Sequence, residues 1–105
     1  EIKPNWERPI MLLSWTLSTS ADDGLRDGIS ALSLARQLNE LSGFRLPRHL
    51  DTLAAALAES GNFAEAEEVA RSAVKAASSL GNSRLASEIE RRRLLYHAGR
   101  PFRTE

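Results

Sequence analysis

Residues 47 to 80 read PRHLDTLAAALAESGNFAEAEEVARSAVKAASSL and carry the strongest structural pattern of the chain. Two segments with apolar residues at three- and four-residue steps flank Gly61-Asn62, which predicts a helix, a tight turn and a second helix. A unit of this kind, about 34 residues long, cannot bury its own apolar face and must pack against neighbouring helices. The sequence therefore predicts a stacked helical surface instead of an enclosed active site.

The composition of this 105-residue chain favours a helical domain and excludes several kinds of site. Alanine, leucine, glutamate, arginine and serine dominate, and no window alternates apolar and polar residues long enough to predict a strand. The absence of cysteine excludes disulfides and thiolate metal sites, and it fits a reducing compartment such as the cytoplasm. No apolar run has the length that a membrane span needs. Because the chain begins at Glu1 instead of methionine, we expect a piece of a longer protein.

Glycine, proline and small polar residues divide the chain into five predicted helices. These helices lie at about residues 8–19, 25–41, 47–60, 63–80 and 82–98. Gly43, Gly61, Gly81 and Gly99 each follow a helical pattern, at the place where a left-handed residue commonly ends a helix. The fold class that follows is all-α, built from antiparallel helix hairpins.

The first two helices repeat the apolar pattern of the next two, with an insertion in their connecting loop. Ala31, Ala35 and Leu38 correspond to Ala66, Ala70 and Ala73, while Ile10, Leu13, Ser14 and Leu17 correspond to Leu50, Leu53, Ala54 and Leu57. Loops absorb insertions at low cost, so the shift around residues 22–27 is compatible with one repeating unit. The chain is interpreted as a single domain with an irregular leader (1–7), a degenerate first repeat (8–43), a second repeat (47–80), a capping helix (82–99) and a tail (100–105).

Residues 47–80 resemble a tetratricopeptide repeat (TPR). Small, apolar or aromatic residues stand at the positions that define the family: Leu53, Ala54, Gly61, Phe63, Ala66 and Ala73. Ala70 departs from the bulky aromatic residue usual at its position, and the first repeat lacks the glycine-aromatic turn. Over nearly the whole chain, the order DGISALSLARQLNELSGF, LDTLAAALAESGNFAEA and LLYHAGRPFR is similar to a C-terminal repeat block of bacterial proteins. The resemblance implies a TPR-like superhelix that recognises other proteins.

The resemblance also implies that the first helix of each pair lines a concave groove for a protein or peptide partner. The candidate groove residues are Arg8, Met11, Leu12, Trp15, Arg48, Asp51, Thr52, Ala55 and Glu59. Some chaperone-binding members of the family hold a terminal carboxylate with lysine and asparagine at these positions. Asp51 would repel such a ligand, so we do not expect a carboxylate clamp here.

The first predicted helix is apolar almost all round. It carries a leucine-containing stripe toward the core and Met11, Leu12 and Trp15 elsewhere, so we expect a cover on both sides. The cover would be a preceding repeat, which we favour, a second copy of the chain, or a bound segment. We therefore predict that the isolated chain self-associates through this helix.

Polar residues outside the groove do not predict an enzyme. His49 and Asp51 are two residues apart, so a helix places them on different faces, and no third metal ligand is near in sequence. We expect His49 to be a surface residue in the first turn of its helix. Asp22-Asp23 lacks the glycine and glutamate of a calcium loop and predicts a turn. No catalytic activity, cofactor or metal is therefore predicted in this chain.

Two other functions stay open. The repeats could be a passive structural extension that positions a catalytic domain, such as a glycosyltransferase. A basic cluster near the C-terminus could also contact nucleic acid: Arg84, Arg91, Arg92, Arg93, Arg100 and Arg103, with Tyr96 stacking on a base. Three consecutive arginines point in three directions around a helix, and Glu88 and Glu90 reduce the local charge. The sequence thus favours the polar outer face of a capping helix over a nucleic-acid site.

Overall fold

The computed structural model describes residues 6–104, and within this range the chain is all-α. Five helices follow one another: Glu7–Thr19 (α1), Gly28–Ser42 (α2), Pro47–Glu59 (α3), Phe63–Ser79 (α4) and Ser83–His97 (α5). A short 3-10 turn at Asp23–Leu25 stands between α1 and α2, and residues 6–104 contain no strand. The predicted fold class is confirmed. Most of the predicted irregular leader lies outside the described residues.

Each helix packs on the next, and α1 also packs on α3. This order of neighbours fits two stacked helix hairpins followed by a closing helix. The crossings are lined by fully buried alanines: Ala31, Ala35, Ala54, Ala66, Ala70, Ala73 and Ala77. Short side chains let helix axes approach closely, so these alanines allow the helices to interlock. The prediction that Ala66 and Ala73 face the interior is confirmed.

The same turn ends α3 and α4. Gly61 and Gly81 adopt positive φ angles of 88° and 76°, a backbone conformation that residues with a Cβ rarely adopt. The following asparagine then donates its backbone N–H back into the helix, from Asn62 to the Leu57 oxygen and from Asn82 to the Ala77 oxygen, both at 2.9 Å. This repeated helix stop turns the chain into the next antiparallel helix.

The second helix begins later than the predicted Leu25. Its start is set by Asp27, whose carboxylate accepts the Ser30 backbone N–H at 3.1 Å and the Ser30 hydroxyl at 2.8 Å. This is a side-chain cap of the first turn, and it lowers the pKa of Asp27 through the hydrogen bonds from Ser30. Of the residues before the observed start, Leu25 ends the 3-10 turn and Arg26 and Asp27 are extended.

The predicted core stripe of α1 is wrong at Leu13, which is 51 % exposed. In its place the buried residues of α1 are small and polar: Ser14, Ser18 and Thr19. The Ser14 hydroxyl donates a 2.8 Å hydrogen bond to the Ala31 carbonyl oxygen of α2, which requires a small side chain at the crossing. Leu13 lies on the side of α1 that neither α2 nor α3 covers.

Helix α3 is the centre of the fold. It packs on α1, α2 and α4, and Arg48 is its only exposed residue between Pro47 and Ala58. The prediction that His49 is a surface residue is therefore wrong. Its Nδ1 lies 3.0 Å from the Ser42 hydroxyl, and its Nε2 lies 3.8 Å from Glu7 Oε1. Burial lowers the pKa of His49, although the negative charge of Glu7 acts in the opposite direction.

Candidate functional site

A cleft of about 230 Å³ lies between α1, α3 and α5. Its lining residues are Met11, Leu12 and Trp15 from α1, Arg48, Asp51 and Thr52 from α3, and Leu85, Glu88 and Arg92 from α5. The structure thus brings together most of the predicted groove residues. The residues from α5 are not among the predicted groove residues, because the sequence favours a capping role for this helix.

The two sides of the cleft differ in chemistry. Helix α1 provides an apolar wall, in which Leu12 is 49 % exposed and Met11 and Trp15 are half-buried. The other side carries the exposed Arg48 and the half-buried Glu88, so charges of both signs face the apolar wall.

The floor of the cleft contains a buried ion pair that joins α3 to α5. Arg92 Nη1 lies 3.1 Å from Asp51 Oδ2, and Asp51 is only 6 % exposed. Burial raises the pKa of Asp51 to about 6, although the positive charges of Arg92 and Arg48 act in the opposite direction. Asp51 Oδ1 is buried without a hydrogen-bond partner among the described residues. The Tyr96 side chain is also buried nearby, and burial together with the Asp51 charge raises its pKa.

The exposure of the predicted groove residues on α3 differs from what the sequence implies. Neighbouring helices surround α3 and bury Asp51, Thr52 and Ala55. Of these, Asp51 and Thr52 line the cleft and form its floor. The Thr52 hydroxyl donates a 2.8 Å hydrogen bond to the Arg48 carbonyl oxygen and is not available to a ligand through that proton. Ala55 does not line the cleft.

Arg8 in the first turn of α1 and Glu59 at the end of α3 do not line the cleft, and we call the surface of α1 and α3 that runs from Arg8 past the cleft to Glu59 the concave face. Arg8 borders a second cavity of about 400 Å³, which shares Met11, Arg48 and Leu85 with the cleft. Glu59 stands at the end of α3 and is paired with two arginines from other segments: Arg26 at 3.5 Å and Arg103 at 2.8 Å.

The chain after α5 folds back onto the end of α1. We call residues 100–104 the tail. Thr104 donates its backbone N–H to the Thr19 carbonyl oxygen at 2.7 Å, and Arg103 Nη1 donates to the Ser18 carbonyl oxygen at 3.3 Å. Phe102 packs on Trp15, with ring centroids 5.7 Å apart. The tail therefore covers one end of the concave face, an arrangement that no local pattern in the sequence predicts.

The Arg92 guanidinium packs against two aromatic rings. Its central carbon lies 5.0 Å from the centroid of Trp15 and 4.8 Å from that of Phe102. A cation over an aromatic face is attracted by the ring quadrupole, and desolvation strengthens the attraction. Arg92 thus links α1, α3, α5 and the tail in one cluster.

Half of the basic cluster near the C-terminus is paired with acids. Arg93 bonds Glu67 at 2.7 Å and Glu90 at 2.6 Å, while Arg92 and Arg103 pair with Asp51 and Glu59. The hydrogen bonds from His97 and Arg71 lower the pKa of Glu67, and that from Arg93 lowers the pKa of Glu90. The members of the cluster that remain exposed are Arg84, Arg91 and Arg100. This pairing reduces the positive field that phosphate binding would use.

No family model, curated protein or solved structure matches this chain. Within residues 6–104, no group of three histidine, cysteine, aspartate or glutamate side chains is arranged to hold a metal ion. None of the helices in that range combines the length and the apolar character that crossing a bilayer requires.

Proposed function

We propose that this chain is a TPR-like repeat module that binds a segment of a partner protein in the cleft between α1, α3 and α5. The observation that supports this function is the pairing of the apolar α1 wall with Arg48 and Glu88 on the opposite side. A partner's apolar side chain would anchor on Leu12 and Trp15. Charges of both signs at the rim would then select a partner and fix its register.

The shape of the concave face favours an extended segment over a compact small molecule. The cleft continues into the second cavity, because Met11, Arg48 and Leu85 line both. Small-molecule sites enclose most of the surface of their ligand, whereas an elongated groove leaves both ends of a bound chain free to continue. A peptide segment about as long as the groove is the ligand that matches this shape.

A peptide selection tests the proposal. We expect a random peptide library, displayed on phage and selected against the full chain, to yield binders that Leu12→Glu weakens by about tenfold or more, because it places a charge in an apolar wall. Leu94→Glu is the matched control, since Leu94 is equally exposed, at 52 %, but does not line the cleft. The proposal fails if no peptide is enriched, or if the binders tolerate Leu12→Glu as well as they tolerate Leu94→Glu.

A second candidate function is a structural extension of a larger protein, such as a glycosyltransferase. The exposed leucine and isoleucine side chains of the first hairpin favour it: Leu13 and Ile29 have about half or more of their surface exposed. Apolar residues of this kind on stacked repeats are normally covered by another unit. Protein recognition in the cleft and stacking of the first hairpin use different surfaces, so one protein can do both.

The exposed side of α1 leads to a prediction of self-association. We expect the wild-type chain to form dimers at high concentration in sedimentation velocity, with copies meeting through α1. Burying Leu13 of each copy in the contact is favourable. Leu13→Glu should remove the dimer, since it would bury a charge in the contact. Leu94→Glu on α5 should leave it intact. A wild-type chain that stays monomeric throughout would contradict this prediction.

A further inference from the structure

We infer that the tail is an internal ligand of the concave face, which competes with partner segments of the same chemistry: an extended strand with an aromatic side chain followed by arginine. The inference rests on the proposed function, because it specifies which segment the face accepts and what opposes its binding. It commits to one place, the end of the concave face formed by the C-terminal ends of α1 and α3, where Trp15, Thr19 and Glu59 contact the tail.

The contacts of the tail are those of a bound peptide. Thr104 and its partner Thr19 are 85 residues apart in the chain, so chain connectivity does not impose their contact. The tail contains no helix or strand and touches the face through one aromatic ring, one guanidinium, and the backbone N–H and hydroxyl of Thr104. These are the elements by which extended segments are recognised elsewhere: main-chain bonds for affinity and side-chain pockets for specificity.

The carbonyl groups at the end of α1 give the tail one contact that does not depend on its sequence and one that does. The last four carbonyl groups of a helix have no partner within the helix, and Ser18 and Thr19 are among them in α1. The tail supplies the missing donors, from Arg103 Nη1 and from the Thr104 backbone N–H. Any residue except proline can supply the N–H that bonds Thr19, so this bond accepts many sequences, whereas the bond to Ser18 needs the side chain of Arg103.

Selectivity comes from two side chains of the tail. The Phe102 ring centroid lies 5.7 Å from that of Trp15 and 4.8 Å from the central guanidinium carbon of Arg92, so this position favours a flat ring. Arg103 then reaches Glu59 at 2.8 Å. A competing segment therefore needs an aromatic residue followed directly by arginine, in the order that the tail itself presents.

The tail is held weakly enough to be exchanged. Phe102 and Arg103 are only half-buried, and partly exposed ion pairs contribute little to stability. Gly99, at φ 72°, joins α5 to the tail, and the tail itself has no regular structure. A short tether nevertheless keeps the tail at an effective concentration of about millimolar, so it competes strongly with a free segment. Weakening the tail should consequently strengthen the binding of a segment in trans.

The experiment adds a synthetic peptide AGRPFRTE, the sequence of residues 98–105, to the full chain carrying Phe102→Ala with Arg103→Ala. We expect this variant to bind the peptide at least about tenfold more tightly than the wild-type chain does, because its own tail no longer competes. Titration calorimetry measures the affinity, and the indole N–H signal of Trp15 in NMR spectra should shift on binding. The same peptide with alanine in place of phenylalanine is the control and should not bind.

Equal affinity for the two chains, or no binding by the variant, would overturn the inference. Thr104→Pro provides an independent variant, since it removes the backbone donor to Thr19 and leaves Phe102 and Arg103 in place; it should also bind the peptide more tightly than the wild type. Library peptides that depend on Leu12 while the tail peptide binds neither variant would leave the proposed function standing and remove this inference alone.

Discussion

Replacing Arg92 with methionine should lower the free energy of unfolding by about 3 kcal/mol near pH 8, the low end of the range for breaking a buried ion pair. The side chain of Arg92 is partly exposed, which keeps the loss at this end of the range. Methionine preserves the apolar contact with Trp15 and Phe102 but leaves the Asp51 carboxylate buried without its counter-charge. Chemical denaturation monitored by circular dichroism measures the free energy of unfolding of both chains.

The effect of Arg92→Met should depend on pH. Burial raises the pKa of Asp51 to about 6 in the folded chain, above the ordinary aspartate value of 3.8, so folding takes up a proton at a pH between these two values. The contribution of Asp51 to stability therefore improves as the pH falls through this window. Near pH 5 the carboxyl group is largely protonated even in the wild type, so the loss caused by Arg92→Met should be smaller there than near pH 8.

The control for this prediction is the double variant Arg92→Met with Asp51→Asn. It removes both charges together, so it should recover part of the stability that Arg92→Met loses near pH 8, and its stability should vary less with pH between 5 and 8. A loss that is the same at both pH values, or that the double variant does not reduce, would show that Arg92 stabilises the fold only through its contacts with the rings.

Replacing Ala70 with leucine should destabilise the chain by about 2 kcal/mol, because overpacking a well-packed core forces side chains and backbone to move. Ala70 is fully buried in the alanine-lined crossings, where its helix packs on both α3 and α5. It is also the position at which the TPR pattern usually has a bulky aromatic residue. We expect that this chain has closed the space which such a residue would occupy.

Ala64→Leu is the matched control on the same helix. Ala64 is exposed, and alanine and leucine have similar helix propensities, so this change should alter the stability by less than about 0.5 kcal/mol. Thermal unfolding compares the two variants directly. If Ala70→Leu is as stable as Ala64→Leu, the space between α3, α4 and α5 is larger than the structure indicates, and the tight crossing at Ala70 is wrong.

The helices and the buried alanines are predictable because their signals are local. The spacing of Leu50, Leu53 and Leu57 reports one helix face within two turns, and Gly61 reports where that helix must stop. The groove on α1 and α3 is expected from the TPR resemblance, and the helical period then assigns to it the residues away from the leucine stripe. Helix α2 starts later than expected because the Asp27 cap competes with the apolar pattern upstream of it.

Burial of polar residues and the place of the tail lie beyond local signals. The period of α3 places Asp51 and His49 outside the leucine stripe, on different faces, yet α1, α2, α4 and Arg92 surround this helix and bury both residues. Leu13 shows the opposite difference: the period predicts that it is buried, but its side of α1 has no covering helix among the described residues.

The amino-acid pattern was thus sufficient for the five helices, their turns and the small residues at the crossings, all of which depend on residues within a few turns of one another. The Asp51–Arg92 pair, the position of Phe102 on Trp15 and the bond between Thr104 and Thr19 depend instead on the packing of distant segments. Helical periodicity records which face a residue occupies. It does not record which other helix, or which end of the chain, that face will meet.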